Sequence, residues 1–221
     1  MDFDFKWHVL MRYQSFLIDG VLITIQMALL GMAIALTLGL IIALMAKAGI
    51  KILEIFSDIY IQVFRAIPIF VFLIWLFYGA AMLTGINVPA FATAVICLSL
   101  THSAFMAETY RAGIESVPKG HREAGLSVGL SRFQVMRYII LPQAIRTVLP
   151  PIGNEFTIVF KSTTILGIIG VDELVRKAQS AVTLSFRPFE LYSAVAVIFI
   201  IMVVIISRFN LYLEKKFSYS K

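Results

Sequence analysis

Three long stretches of this chain carry no Asp, Glu, Lys or Arg, and they restrict the possible folds more than any other feature. They run from Gly20 to Ala46, from Ala66 to Ala107 and from Leu191 to Ser207. A helix needs about 20 mostly apolar residues to cross the hydrocarbon of a bilayer. With 60% hydrophobic residues, 14% charged residues and a mean hydropathy of +0.90, the chain is predicted to be an all-α integral membrane protein.

We predict five transmembrane helices in a single membrane domain, residues 1–221. The second charge-free stretch is long enough for two spans, because Gly85, Asn87 and Pro89 supply a turn within it. The predicted spans cover residues 20–46, 66–83, 90–110, 138–160 and 191–207.

The fourth predicted span is interrupted by prolines. Pro142, Pro150 and Pro151 each weaken regular helix, because proline lacks the backbone donor and its ring crowds the preceding turn. Broken helices at membrane depth lie within protein or along a water-filled cavity. This span is therefore predicted to be broken and to face a translocation path.

The basic residues indicate the orientation of the chain. Residues 47–65, 111–137 and 208–221 hold twelve Lys and Arg residues, against six in residues 1–16, 79–89 and 161–187. Positive residues favour the cytoplasmic side, so the N-terminus is predicted outside and the C-terminus inside. The same scatter explains the net charge of +6 without nucleic acid, which we do not expect as a partner.

The longest charged interval, residues 111–137, is predicted to form a cytoplasmic helix-turn-helix loop. Pro118 suits the start of a helix that runs to about Val128. Gly129 can adopt the left-handed conformation that ends a helix, and Ser131 with Gln134 forms a capping-box pattern that starts the next one.

The same interval resembles the EAA loop of ABC-importer permeases. The resemblance lies in Glu123-Ala124-Gly125, then Gly129, then Ile139-x-Leu141-Pro142, with Gly125 where that family usually has Ala. It implies a type I ABC-importer fold, with a short coupling helix in a groove of a separate ATPase subunit. Pro118, Glu123, Ala124, Gly125, Gly129 and Pro142 are the predicted coupling residues. A solvated loop charge is the alternative interpretation of Glu123.

Other segments resemble the polar amino-acid branch of these permeases, which includes histidine, glutamine, glutamate and arginine importers. They are Leu17–Thr24, Phe64–Pro68, Ala107–Gly120, Leu141–Asn154 and Gly170–Leu174. The resemblance implies a bacterial cytoplasmic-membrane protein that pairs with a second permease chain, identical or homologous. It also implies an ABC ATPase dimer that uses ATP, and an extracytoplasmic binding protein that delivers the amino acid.

No catalytic, cofactor or metal site is predicted in the chain itself. Gly120 and Gly125 have the spacing of a phosphate-binding loop, but Leu126 stands where that loop requires lysine. The alternatives to an amino-acid importer are an importer for an opine or cystine and a membrane channel or interaction subunit without ATP coupling.

Four polar residues within the predicted spans are candidates for the substrate path: Ser99, His102, Asn154 and Glu155. An acid at membrane depth costs about 2.5–3.5 kcal/mol on insertion scales, so we expect Glu155 to have a use. It could accept a substrate ammonium or cationic side chain, or form a structural ion pair with Arg146 or Lys161. Ser99 and His102 share one helix face, and either line a cavity or bond between packed helices.

Overall fold

The computed structural model describes residues 5–217, and the regular structure in that range is helical throughout. The α-helices are α1 (Trp7–Arg12), α2 (Gln14–Met45), α3 (Lys51–Ala66), α4 (Ile69–Ile74), α5 (Ala80–Thr84), α6 (Ala90–Glu115), α7 (Lys119–Ser127), α8 (Arg132–Val135), α9 (Leu141–Ser162), α10 (Leu174–Ser185) and α11 (Pro188–Phe217). The π-helical turns Trp75–Gly79 and Met136–Ile140 join α4 to α5 and α8 to α9, and a 3-10 helix, Thr163–Ile169, follows α9. The predicted all-α class is confirmed.

Three described helices, α2, α6 and α11, are long and apolar enough to cross a membrane. They contain the third and fifth predicted spans and all but the last residue of the first. A fourth crossing is possible if α3 and the Ile69–Thr84 segment form one span, although the two are bent by 103°. Helix α9 and the π-helical turn before it cover the fourth predicted span, but Arg146, Glu155 and Lys161 make α9 more polar than α2, α6 and α11. The count of five spans therefore stays a prediction.

The prolines of the fourth predicted span do not break it, so that prediction was wrong. Pro150 and Pro151 lie inside the continuous helix α9. Each removes one backbone hydrogen bond, which neighbouring groups can replace in a membrane helix. Pro142 follows the π-helical turn, where Leu141 N–H donates to the Met136 carbonyl five residues back. This wider turn absorbs a proline that would crowd an ordinary α-helix.

The chain divides into two compact units, each assembled from three separate stretches. The first contains the residues up to Ala33, Ile67–Ser99 and Thr157–Ile205. Leu17, Leu174, Ala178 and Val195 form one of its apolar clusters, in which α2 and α11 pack against α10. A Cβ at Gly20 would lie 2.7 Å from the Leu174 Cα, so only glycine allows α2 to approach this closely.

The start of α10 in this unit has a partner for each of its first three backbone N–H groups. Leu174 N–H donates to Thr24 Oγ1 at 3.2 Å. The fully buried Glu173 accepts from Val175 and Arg176, both at 2.8 Å. Burial raises the pKa of Glu173 to about 7, and the two backbone hydrogen bonds oppose that shift. Two of the family-like segments, Leu17–Thr24 and Gly170–Leu174, therefore meet at this helix start.

Among the described residues, the second unit contains Ile34–Ala66, Leu100–Phe156 and residues 206–217. Its apolar core includes Ile42, Ala43, Ile61 and Ala107, which join α2, α3 and α6. A Cβ at Gly39 would lie 2.6 Å from the Met106 Cβ, so α2 and α6 are in close contact there. The Tyr60 hydroxyl is hydrogen-bonded to Ser103 Oγ at 2.7 Å and ties α3 to α6. This unit carries the predicted coupling loop.

Candidate coupling loop and substrate cavity

The first helix of the coupling loop forms nearly where it was predicted. Pro118 directly precedes α7, and its carbonyl accepts the His121 N–H at 3.0 Å. At the other end Gly129 adopts a φ of +86°, and Leu130 N–H donates to the Gly125 carbonyl at 3.1 Å. The left-handed turn predicted at Gly129 is therefore confirmed.

The capping box that starts the next helix is also confirmed. Gln134 N–H donates to Ser131 Oγ at 3.2 Å, and Ser131 N–H donates to Gln134 Oε1 at 2.8 Å. These reciprocal bonds satisfy two donors that the first turn of a helix leaves without partners. One helix of the loop thus ends just before Gly129, and the next begins just after it.

Gly125 is buried although its neighbours on α7 are exposed. A Cβ there would lie 2.6 Å from Ile139 Cδ1 and 3.0 Å from Val135 Cγ2. Helix α7 is therefore packed directly onto the chain that leads into α9. This contact between two turns of the loop leaves little space for a side chain at the position where the family usually has Ala.

The opposite surface of α7 faces outward. Glu123 and Ala124 are exposed, as are the apolar side chains of Val128 and Phe133 beyond the end of the helix. Exposure of Glu123 fits both a coupling role and a solvated charge, so its role stays a prediction. His121 Nδ1–H donates to Gln143 Oε1 at 2.9 Å, which links α7 to the first turn of α9.

A cavity of about 620 Å³ lies in the second unit, between α6, α9 and the end of α3, and several polar and charged side chains interrupt its mainly apolar lining. Its wall includes Phe105, Glu108, Thr109, Ala112, Gly113 and Ser116 from α6 and the segment after it, Thr147, Pro151, Asn154 and Glu155 from α9, and Arg65 from α3. Successive turns of α6 follow this wall as far as Ser116, three residues before α7 begins. The cavity therefore extends along α6 towards the coupling loop.

Two predicted path residues, Asn154 and Glu155, line this cavity, and a third contacts one of them. His102 Nδ1 lies 2.7 Å from Glu155 Oε1, and both side chains are buried. Glu155 thus contacts His102, a residue that the sequence analysis did not pair with it. An interaction between helices α6 and α9 could not be inferred from spacing, because the two residues are 53 positions apart.

The fourth predicted path residue, Ser99, is buried in the first unit. Its hydroxyl donates to the Val95 carbonyl at 2.7 Å and approaches the Gly31 carbonyl at 3.5 Å. These bonds lie within α6 and towards α2, which is the packing role that the alternative interpretation gave it. Ser99 is not part of the wall of the cavity.

The cavity contains two charged residues that were not predicted as path residues. The Arg65 guanidinium lies 5.5 Å from the centre of the Phe105 ring. Glu108 forms an ion pair with Arg111 one turn further along α6. The sequence did contain features that could have pointed to these two residues. Arg65 belongs to the family-like segment Phe64–Pro68, and Glu108 directly follows the longest charge-free stretch.

Comparison with known proteins agrees with the fold. The family described as the inner membrane component of binding-protein-dependent transport systems matches residues 35–219. The glutamine transport system permease protein GlnP of Escherichia coli (strain K12) is 35% identical, covering 96% of this chain and 97% of that protein. The probable amino-acid ABC transporter permease protein PatM of Vibrio harveyi is 38% identical, covering 98% of this chain and 97% of that protein.

Solved structures show the same arrangement. The crystal structure of an amino acid ABC transporter with histidines superposes with a TM-score of 0.92 at 36% identity, covering 98% of this chain and all of that one. An inward-facing MetNI methionine ABC transporter shares the fold with a TM-score of 0.73 at 19% identity. The fold is that of a type I ABC-importer permease, as predicted. The chain belongs to the family of inner membrane components of binding-protein-dependent transport systems.

Proposed function

We propose that this chain is the permease subunit of an ATP-driven importer for a polar amino acid and that it works by alternating access. Relatives that match nearly its whole length are named as glutamine and amino-acid permeases. In this proposal the chain has no ATPase site and binds no cofactor. A separate ABC ATPase dimer uses ATP, a second permease chain completes the membrane core, and an extracytoplasmic binding protein delivers the substrate.

The observation that carries the proposal is the cavity along α6, which leads towards the coupling loop and contains side chains of both charges. Arg65 offers a guanidinium that suits a carboxylate, and Glu155 offers a carboxylate that suits an ammonium. Every zwitterionic amino acid carries both a carboxylate, which suits Arg65, and an ammonium, which suits Glu155. Asn154 adds an amide that can donate to or accept from a polar side chain. An amino acid in this cavity would therefore meet complementary charges and a hydrogen-bonding amide.

The coupling loop links the cavity to the partner ATPase in this proposal. Helix α7 enters a groove of the ATPase with Glu123 and Ala124 facing it, while Gly125 faces the rest of the loop. Pro118 and Gly129 delimit the helix, and Pro142 marks where the loop joins α9. Since α6 and α9 form both the cavity wall and the two attachments of the loop, a displacement of α7 changes the cavity.

The proposed location is the bacterial cytoplasmic membrane, with the N-terminus outside and the coupling loop and C-terminus in the cytoplasm. The excess of Lys and Arg in the loop and tail supports this orientation. In this orientation the cavity extends towards the cytoplasmic side, where the amino acid is released.

Uptake by reconstituted vesicles tests the function. The permease would be incorporated with the ATPase and binding protein encoded beside it, and ATP-dependent accumulation of labelled glutamine, histidine, glutamate and arginine would be measured. We expect at least one amino acid to accumulate, and the uptake to fall in Glu155→Gln. Uptake restricted to cystine or an opine would favour another importer of the same kind. Flux that is independent of ATP would contradict the proposal and indicate a channel.

A further inference from the structure

We propose that His102 is a positioning residue for substrate binding, which acts by holding the carboxylate of Glu155 at the cavity wall as an ionised acceptor for the substrate ammonium. The inference rests on the proposed function, because it requires that an amino acid occupies the cavity. It adds a residue outside the cavity wall that determines how one wall residue binds.

The geometry gives the two residues different places. Glu155 Oε1 lies 2.7 Å from His102 Nδ1, on the facing helix α6. Glu155 lines the cavity and retains 11% side-chain exposure, whereas the His102 side chain is 4% exposed and lies outside the described wall. A carboxylate held through one oxygen keeps acceptor capacity on the other. His102 therefore orients Glu155 from behind and leaves the substrate side of the carboxylate free to accept.

The second ring nitrogen of His102 indicates the protonation state of the pair. In this proposal Glu155 is ionised and can only accept, so Nδ1 carries the hydrogen of this bond. His102 Nε2 is buried and has no hydrogen-bond partner within residues 5–217. A second hydrogen there would leave a buried donor and a buried positive charge without a partner, which is costly. The ring is therefore neutral, and the pair carries the single negative charge of Glu155.

The remaining charges of the cavity fit this assignment. Glu108 is neutralised by its ion pair with Arg111. Arg65 then supplies one positive charge and Glu155 one negative charge, in a wall that is otherwise uncharged. This balance matches an α-carboxylate and an α-ammonium. If His102 were charged, it would cancel Glu155 and remove the attraction for the ammonium.

Two variants of His102 separate positioning from packing. His102→Asn places an amide N–H at the same distance along the side chain as Nδ1, so it can still donate to Glu155. His102→Gln carries its amide one bond further, near the position of Nε2, and is the matched control. Binding of labelled glutamine, histidine, glutamate and arginine to the purified permease–ATPase complex would be measured without the binding protein. All four share the α-ammonium, so the expectation is the same for each that binds.

We expect His102→Asn to bind within about threefold of the unaltered protein and His102→Gln to bind about tenfold to a hundredfold more weakly, as a hydrogen bond to a charged group implies. In a Glu155→Gln background, His102→Gln should have no further effect on binding. Equal losses in the two His102 variants, or an undiminished loss in that background, would overturn the positioning role. If the unaltered complex binds none of the four, the proposed function itself fails.

A measurement on the unaltered chain does not depend on either variant folding. The chain contains three histidines, so ¹⁵N chemical shifts of a complex in which only the permease is labelled can be assigned by substituting His8 and His121. We expect the His102 ring to be neutral with its hydrogen on Nδ1. An imidazolium or an Nε2–H tautomer would contradict the inference, whatever the binding data show.

Discussion

Gly125 provides a sharp test of how the coupling loop is packed. An added Cβ would lie 2.6 Å from Ile139 Cδ1 and 3.0 Å from Val135 Cγ2. Overpacking costs about 1–3 kcal/mol, and here the low end applies, because Ile139 Cδ1 is the end of a side chain that can rotate. Alanine also favours helix over glycine by about 1 kcal/mol. The two effects nearly cancel, so Gly125→Ala alone should change the local stability of α7 by less than about 1 kcal/mol.

The structure predicts a clear coupling with Ile139, because shortening that side chain removes the atom nearest to the added Cβ. Ile139→Val alone should cost about 0.5–1.5 kcal/mol by leaving a small void. In the double variant the methyl group added at position 125 fills that void, so the loss disappears and the helix-propensity gain remains. We expect the double variant to be more stable than the sum of the single changes by about 1 kcal/mol or more.

Hydrogen exchange of the α7 amides in the permease–ATPase complex would measure these local free energies. Gly125→Val is the matched overpacked control, and it should lower protection and reduce substrate-stimulated ATP hydrolysis. Strict additivity of Gly125→Ala and Ile139→Val, within about 0.5 kcal/mol, would refute the contact on which the calculation depends.

Two further predictions concern Gly129 and Glu173. Neither Gly129 nor Gly120 has a heavy atom within 4 Å of an added Cβ, but only Gly129 has a positive φ, +86°. Gly129→Val should therefore incur a backbone strain of about 1–2 kcal/mol and impair substrate-stimulated ATP hydrolysis. Gly120→Val is the control and should not impair it. Equal losses of ATP hydrolysis in the two variants would contradict this prediction. Glu173 lies outside every predicted span, and burial raises its pKa from 4.5 to about 7. The folded state thus holds this proton more tightly, so the stability contribution present below pH 4.5 is lost as pH rises to 7. Relative to Glu173→Gln, the free energy of unfolding of the unaltered protein, measured by thermal unfolding, should fall by up to ~3 kcal/mol across this pH range. If the unaltered protein instead gained stability relative to Glu173→Gln as the pH rose, the buried carboxyl would be excluded as the cause.

The coupling loop could be predicted closely because its structure depends on short-range interactions. The left-handed turn at Gly129 follows from the conformational freedom of glycine, and the capping box joins Ser131 to Gln134 only three residues later. The long apolar helices could be predicted for a similar reason, since an apolar run of sufficient length has few other stable arrangements in a bilayer.

The candidate site was only partly predictable. Asn154 and Glu155 were identified because polar groups at membrane depth are costly, and both line the cavity. The same argument selected Ser99, which instead bonds to backbone carbonyls in the first unit. Cost alone indicates that a polar side chain needs partners, but it does not distinguish a substrate from a neighbouring helix. The sequence argument considered a substrate cation, Arg146 and Lys161 as partners of Glu155, and it missed His102, which is 53 positions away.

By itself, the sequence determined the membrane class, the helical architecture and the turn chemistry of the loop, since each depends on residues close together in the chain. Only the tertiary structure decided that His102 meets Glu155, that Arg65 and Glu108 share their cavity, and that Gly125 is a packing position. Those contacts join residues from different helices. Their distances depend on how α3, α6 and α9 pack, and no local pattern of apolar or charged residues specifies that packing.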